Sequence, residues 1–203
     1  MAKDVPSPRY FASGLCLLLA LWAPLPATPA DDPRPLTAIL IKASAGLPDP
    51  FFADSVVLVM NNLGPAPIGV VINRPTPLPV ARLFPDLKRL AQRHDRVYFG
   101  GPVEFETVWF LFRAARSPPE RAVKACEGVY LSASRELLLR LLARDKPMDG
   151  LRIFMGHAGW GPGQLEAEIA RGDWTLARAE PEAIFSDKAE HPWPAPQAPK
   201  DGT

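Results

Sequence analysis

Eight short runs of apolar and β-branched residues, each closed by Gly, Pro or Asp, fill the middle of this 203-residue sequence. They restrict the available folds more than any other feature. They are Ala38 to Lys42, Ser55 to Met60, Ile68 to Asn73, Arg96 to Phe99, Val108 to Arg113, Gly128 to Leu131, Leu151 to Gly156 and Trp174 to Ala179. Runs of this length and composition predict strands. Two helices are clearly signalled. Ser134 to Arg144 has a capping serine and a stripe of Leu137, Leu138, Leu141 and Leu142, while Pro162 to Arg171 starts on a proline and stops at Gly172. A weaker helix is expected over Pro79 to Gln92. A doubly wound sheet needs a helix after nearly every strand, so this pattern predicts a mixed α+β domain instead.

The ends of the chain are of different character. Residues 1 to 30 read as a secretory signal: Lys3 and Arg9 precede an apolar run from Phe11 to Ala23, and Thr28 and Ala30 set up a cut before Asp31. The run is too short to span a bilayer, so no stable membrane span is expected after cleavage. This predicts an exported, periplasmic protein. The alternatives are an uncleaved anchor, or a cytoplasmic protein whose true start lies downstream. Residues 31 to 37 read as a flexible lead and 188 to 203 as a disordered proline-rich tail, which leaves one domain of 38 to 187. Several of the 25 prolines sit in these flanks.

Charge and cysteine content then narrow the function classes. Losing Lys3, Arg9 and Asp4 takes the formal charge from +1 to zero, so no basic face for nucleic acid is indicated. Cleavage also removes Cys16 and leaves Cys126 alone, so an apolar core rather than a disulfide has to stabilise the domain. Cys126 reads as a small buried residue rather than a reactive or intermolecular thiol.

Four stretches are too specific to be ordinary turns. They are Leu47-Pro48-Asp49-Pro50-Phe51-Phe52, Gly69 to Pro75, Gly100-Gly101-Pro102-Val103, and the long run Gly156-His157-Ala158-Gly159-Trp160-Gly161-Pro162-Gly163-Gln164-Leu165-Glu166. In order and spacing they resemble the AlgH/YqgE-like family of bacterial proteins, over roughly residues 38 to 187. The resemblance implies an α+β fold with a mixed, mostly antiparallel bifurcated sheet curled into a pseudo-barrel, with a few packed helices. It implies no established activity and no catalytic residues, since members have mostly been called transcriptional regulators on genetic association. His157 stands where the family usually carries tyrosine, and the signal-like extension is atypical of it.

The residues themselves yield a candidate cleft of Arg74, Gly159, Trp160, Gly161, Gln164 and Glu166. The four glycines of 156 to 163 lie between a predicted strand and a helix start, where backbone N–H groups and the helix dipole can hold an anion. Equally, glycines there let the chain turn tightly under Trp160, with Gln164 and Glu166 satisfying nearby backbone groups. Arg74 either reaches into this cleft or pairs with Glu104 or Glu166. Ser55, Ser132 and Ser134 lie in no nucleophile elbow, and His94, His157 and His191 have no metal-ligand spacing, so no metal or cofactor is expected. With no coherent nucleophile, base and orienter, the residues favour a non-catalytic binding or regulatory module for a small anion, peptide or protein partner. The alternative is an enzyme acting on a phosphate- or carboxylate-bearing small molecule, with Glu166 as acid or base.

Overall fold

The computed structural model describes residues 38 to 118 and 121 to 186. The expected signal, lead and tail lie outside them. Ten strands form one branched sheet: β1 (Ala38–Ala43), β2 (Val56–Met60), β3 (Ile68–Val71), β4 (Pro75–Pro79), β5 (Arg96–Phe99), β6 (Val103–Arg113), β7 (Val123–Cys126), β8 (Val129–Ser132), β9 (Leu151–Gly159) and β10 (Trp174–Arg178). The main path runs β10-β1-β2-β3-β9-β6-β8-β7, and β5 joins β9 to β4. Every pairing is antiparallel except β5 with β9. The result is the α+β class expected, a mostly antiparallel curled sheet forming a half-barrel.

β9 is where the sheet divides. Its first half pairs with β5, through Tyr98 opposite Phe154, and its far end pairs with β3, through Gly69 opposite Ala158. A near-continuous apolar run suits such a strand, which is covered on both faces. The branching depends on two glycine stretches crossing at backbone distance. A Cβ on Gly100 would sit 2.2 Å from the Gly156 carbonyl oxygen, and one on Gly156 would sit 2.3 Å from that of Gly101. The Gly100 N–H donates to Met155 O at 2.8 Å while its own carbonyl accepts from Val71 N at 2.9 Å, so this one residue ties β9 to β3.

Alternating side chains of β1 to β3 feed two apolar layers. Leu40, Leu58 and Val70 join Leu111, Leu131 and Phe154 on one face, and Ile41, Val57 and Val71 join Phe99, Trp160 and Trp174 on the other. A third layer packs Phe110, Phe112 and Ile153 under helix α2 (Arg135–Leu142), whose four leucines at 137, 138, 141 and 142 are all buried as their spacing requires. Ser134 caps this helix, its side chain accepting from Leu137 N at 3.4 Å.

Several details differ from expectation: β7 falls on no predicted run, and β6 begins at Val103 rather than Val108. The helix expected over Pro79 to Gln92 shrinks to α1 (Val80–Leu83) and a 3₁₀ turn at Lys88–Leu90. Pro85 excludes the helical conformation at Phe84, which takes φ −134° and ψ 65°. β4 was hidden because it reads Pro-Thr-Pro-Leu-Pro, and proline cannot donate to a ladder; it pairs with β5 only at Pro75 and Pro79. The largest difference lies in the glycine-tryptophan run, since β9 continues to Gly159 where a turn was expected. Within it, Gly156 serves close packing inside the sheet.

Candidate functional site

The site grows from the junction of β9 with helix α3 (Gln164–Arg171). β9 ends at Gly159 and Trp160 follows it into the core, its N–H donating to Pro67 O at 3.2 Å. Gly163 adopts φ 74° just before the helix, a conformation glycine takes without Cβ strain, and Gly172 closes the helix at φ 85°. The Gln164 side chain folds back so that Oε1 accepts from Gly161 N at 3.0 Å, while Gln164 N donates to Gly161 O at 3.1 Å. The donors at Trp160, Gly161 and Gln164 are therefore occupied within the chain, and Pro162 has none. Those donors are not available to an anion cradle of the kind considered from sequence.

One turn into α3, Glu168 gathers the site together. Its Oε2 accepts from Trp160 Nε1 at 2.9 Å and from Trp174 Nε1 at 2.8 Å, and its Oε1 accepts from Gln164 Nε2 at 2.8 Å. Partial burial pushes its carboxyl pKa up, but hydrogen bonds from Trp174, Gln164 and Trp160 and the charge of Arg171 outweigh this and hold it below the usual glutamate range. Glu168 is thus ionised at neutral pH, with three donors on its two oxygens. Glu166, the residue singled out from sequence, is exposed on another face of the helix. The missed signal was helical spacing: Gln164, Glu168 and Arg171 recur at four and three residues and so share one face.

Opposite α3, the turn after β1 supplies the other wall. Asp49 Oδ1 accepts from Phe51 N at 2.7 Å, and the Asp49 carbonyl accepts from Phe52 N and Ala53 N, a tight turn of the kind Asp-Pro predicts. Phe52 stacks on Trp160 at 6.4 Å between ring centroids and meets Trp174 edge-on at 5.9 Å. Trp160 and Trp174 are themselves edge-to-face at 6.3 Å. Around this trio lies a cavity of about 380 Å³, lined also by Asp49, Glu168, Arg171 and Asp173. Arg171 is paired with Asp173 at 2.6 Å, so the wall carries a surplus of negative charge.

Arg74 does not line this cavity. It is buried, and its guanidinium donates to the carbonyl oxygens of Phe51, at 3.0 Å, and of Ala53. Burial lowers its pKa against the charges of Asp54 and Asp49, the carboxylates that act on it in place of Glu104 or Glu166. Beside it, Asn73 accepts from Val56 N at 2.8 Å and donates to Asp54 O at 3.0 Å. Both residues brace the turn that presents Asp49 and Phe52. Of the residues selected from sequence, Gly159, Trp160 and Gln164 meet at the cavity, Gly161 supports Gln164, and Arg74 acts from behind.

Elsewhere the polar groups perform structural tasks. In the larger cavity of about 620 Å³, Arg152 donates to Ile72 O and Ile184 O at 2.9 Å under the Tyr98 ring, and Arg113 donates to Pro181 O at 3.1 Å beside Phe185. These contacts tie the short helix α4 (Pro181–Ile184) to the sheet. His157 is buried against Trp109, and burial lowers its pKa against the charge of Glu104. Among the described residues, none of Ser55, Ser132, Ser134 or Cys126 hydrogen-bonds to a histidine; Ser132 donates to Arg121 O, Ser134 caps α2, and burial pushes the Cys126 thiol up. Among the described residues no group of three His, Cys, Asp or Glu is placed to hold a metal, and no helix is long and apolar enough to cross a membrane.

Comparison with known proteins places this geometry in context. A family model described as AlgH-like matches residues 39–198. A UPF0301 protein of Anaeromyxobacter sp. (strain Fw109-5) is 36% identical over 176 residues, covering 81% of this chain and 88% of its own. A UPF0301 protein of Streptomyces coelicolor is 36% identical over 166 residues, covering 78% and 83%. Among solved structures, the solution structure of the AlgH protein from Pseudomonas aeruginosa is 28% identical, with a TM-score of 0.61 over 78% of this chain and 85% of that one. The crystal structure of a Corynebacterium diphtheriae protein gives 25% identity and a TM-score of 0.59 over 73% and 78%.

Proposed function

This chain belongs to the AlgH-like family, and from that premise we propose that it is a non-catalytic binding module of regulatory use, holding a peptide or protein partner at the cleft between Phe52, Trp160 and Trp174. The observation that carries this reading is the state of Glu168. A general acid or base at neutral pH needs a pKa near the working pH and a free proton position. Glu168 instead has its pKa lowered and three donors directed at its two oxygens. It organises aromatic surface rather than chemistry. The cleft's negative surplus also argues against phosphate- or carboxylate-bearing substrates, which like charges repel. The amino-terminal segment of residues 1 to 30 supports an exported, periplasmic setting for the module.

The test is a broad panel of hydrolase, phosphatase and metabolite substrates run beside a partner capture with immobilised protein. The reading expects no turnover above buffer, and a captured protein that is lost on Phe52→Ser. Turnover abolished by Glu168→Gln in a protein that still folds would overturn it.

A further inference from the structure

The cleft does not stand alone on its face of the molecule. Gly159, on its rim, has no side chain, and a Cβ placed there would lie 3.8 Å from Val103 Cγ2. Val103 begins an exposed stretch of β6 in which Phe105 is 47% exposed and Val103 39%. Phe51, 44% exposed, is adjacent to Phe52 in the turn. Phe51 and Phe105 flank the same buried ring, with centroids 6.4 and 6.2 Å from Phe99. These are three of the four large hydrophobic residues that stay exposed among the described residues, and such clustering marks an interaction surface rather than scattered surface apolarity. The same stretch of β6 carries exposed Glu104 and Glu106, and Glu104 holds φ 45°, a left-handed conformation that costs a non-glycine residue energy.

Acidic and apolar character therefore alternate across one continuous surface, from Asp173 and Asp49 at the cavity to Glu104 and Phe105 beyond it. Building on the binding-module reading above, we propose that the cavity receives a lysine or arginine side chain of an extended partner segment, and that Phe51, Val103 and Phe105 seat an apolar residue beside it. Volume and charge both favour this occupant. A space of about 380 Å³ lies at the small end of ligand pockets and admits one long side chain, not a helix. Its three aromatic residues suit the alkyl stem, and a cation is attracted to aromatic rings as well as to carboxylates. Glu168 adds a charge that its donors keep ionised, Asp49 is exposed to an incoming ammonium or guanidinium, and Asp173, whose Oδ2 pairs with Arg171, leaves the cavity wall with net negative charge.

Calorimetric titration of the full chain tests this, with a capped pentapeptide carrying one lysine between two phenylalanines and with its glutamate counterpart. The lysine peptide binds saturably and more weakly as salt is raised, and the glutamate peptide does not bind. Asp49→Asn and Asp173→Asn each weaken binding by about three- to tenfold, the scale of partly exposed charge pairs. Phe105→Ser weakens it without changing the salt dependence. Equal or tighter binding of the glutamate peptide, or a lysine peptide that either fails to bind at millimolar concentration or ignores all three substitutions, overturns the proposal. In those cases the non-catalytic reading still stands, since only Glu168-dependent turnover removes it.

Discussion

Trp160 and Trp174 meet at a single atom: both indole N–H groups donate to Glu168 Oε2, at 2.9 and 2.8 Å, while their rings pack edge-to-face at 6.3 Å. One tryptophan directly follows the branching strand β9 and the other begins the outer strand β10. Glu168 is therefore the tie between the helix and two parts of the sheet, and the cleft exists because that tie holds.

Replacing this carboxylate has a predictable cost. Glu168→Ala leaves two buried indole donors without an acceptor and should destabilise the domain by about 2–4 kcal/mol, whereas Glu168→Gln keeps one acceptor and should cost about half as much. Chemical denaturation followed by tryptophan fluorescence checks both values. Equal, small losses for the two variants would contradict the role given to the bonds.

Acid should weaken the fold in two separate windows. His157 has a pKa lowered from 6.5 by burial, so the unfolded chain takes up its proton first. Its contribution is complete above about pH 6.5 and is lost as pH falls below that value. Glu168 has a pKa lowered from 4.5, so its contribution is complete above about pH 4.5 and declines as pH falls further through the folded-state value. Denaturation midpoints measured from pH 8 to 3 should show both slopes. His157→Asn should flatten the upper one and leave the lower one in place.

The glycines should separate by mechanism. Gly100→Ala and Gly156→Ala force a Cβ to about 2.2 Å from backbone oxygen, where nothing can yield, and should prevent soluble folding or cost more than about 3 kcal/mol. Gly163→Ala meets open space at φ 74° and should cost only about 1 kcal/mol. Expression yield and denaturation of the three variants decide the matter.

These glycines also mark where sequence reasoning reached its limit. The leucine stripe of α2 and the apolar runs of β1, β2, β5 and β9 were legible because local periodicity and burial agree there. A glycine, by contrast, reads the same whether it opens a turn or lets two backbones touch, so the passage of β9 through Gly156 to Gly159 stayed hidden. β4 was masked by its prolines. At the site, Trp160 and Gln164 were legible from the motif, but Glu168 gains its meaning only from Trp174, which reaches it across a helix and a turn. Arg74 was read from sequence as a cleft residue or the partner of Glu104 or Glu166; the carbonyl oxygens of Phe51 and Ala53 that accept from it, about twenty residues earlier in the chain, have no sequence signal.

Arg74 gives its own prediction. Arg74→Met keeps the apolar stem but removes the donors to Phe51 O and Ala53 O, so the Asp49 to Asp54 turn should loosen. Hydrogen exchange at the Phe52 and Ala53 amides, both bonded to Asp49 O, should quicken by at least about tenfold, the equivalent of a 1.4 kcal/mol change in local opening. Unchanged exchange would show that the turn holds without the arginine.

The account's central claim is that the tryptophan cleft is a recognition surface, and the indole N–H resonances of Trp160 and Trp174 report on it most directly. In a titration of ¹⁵N-labelled protein with the lysine pentapeptide, the account predicts that both signals shift together and saturate at one affinity, with neighbouring shifts confined to Asp49, Phe51, Phe52, Val103, Phe105, Gly159 and Asp173. Indole signals that stay fixed while the peptide perturbs residues elsewhere would contradict it.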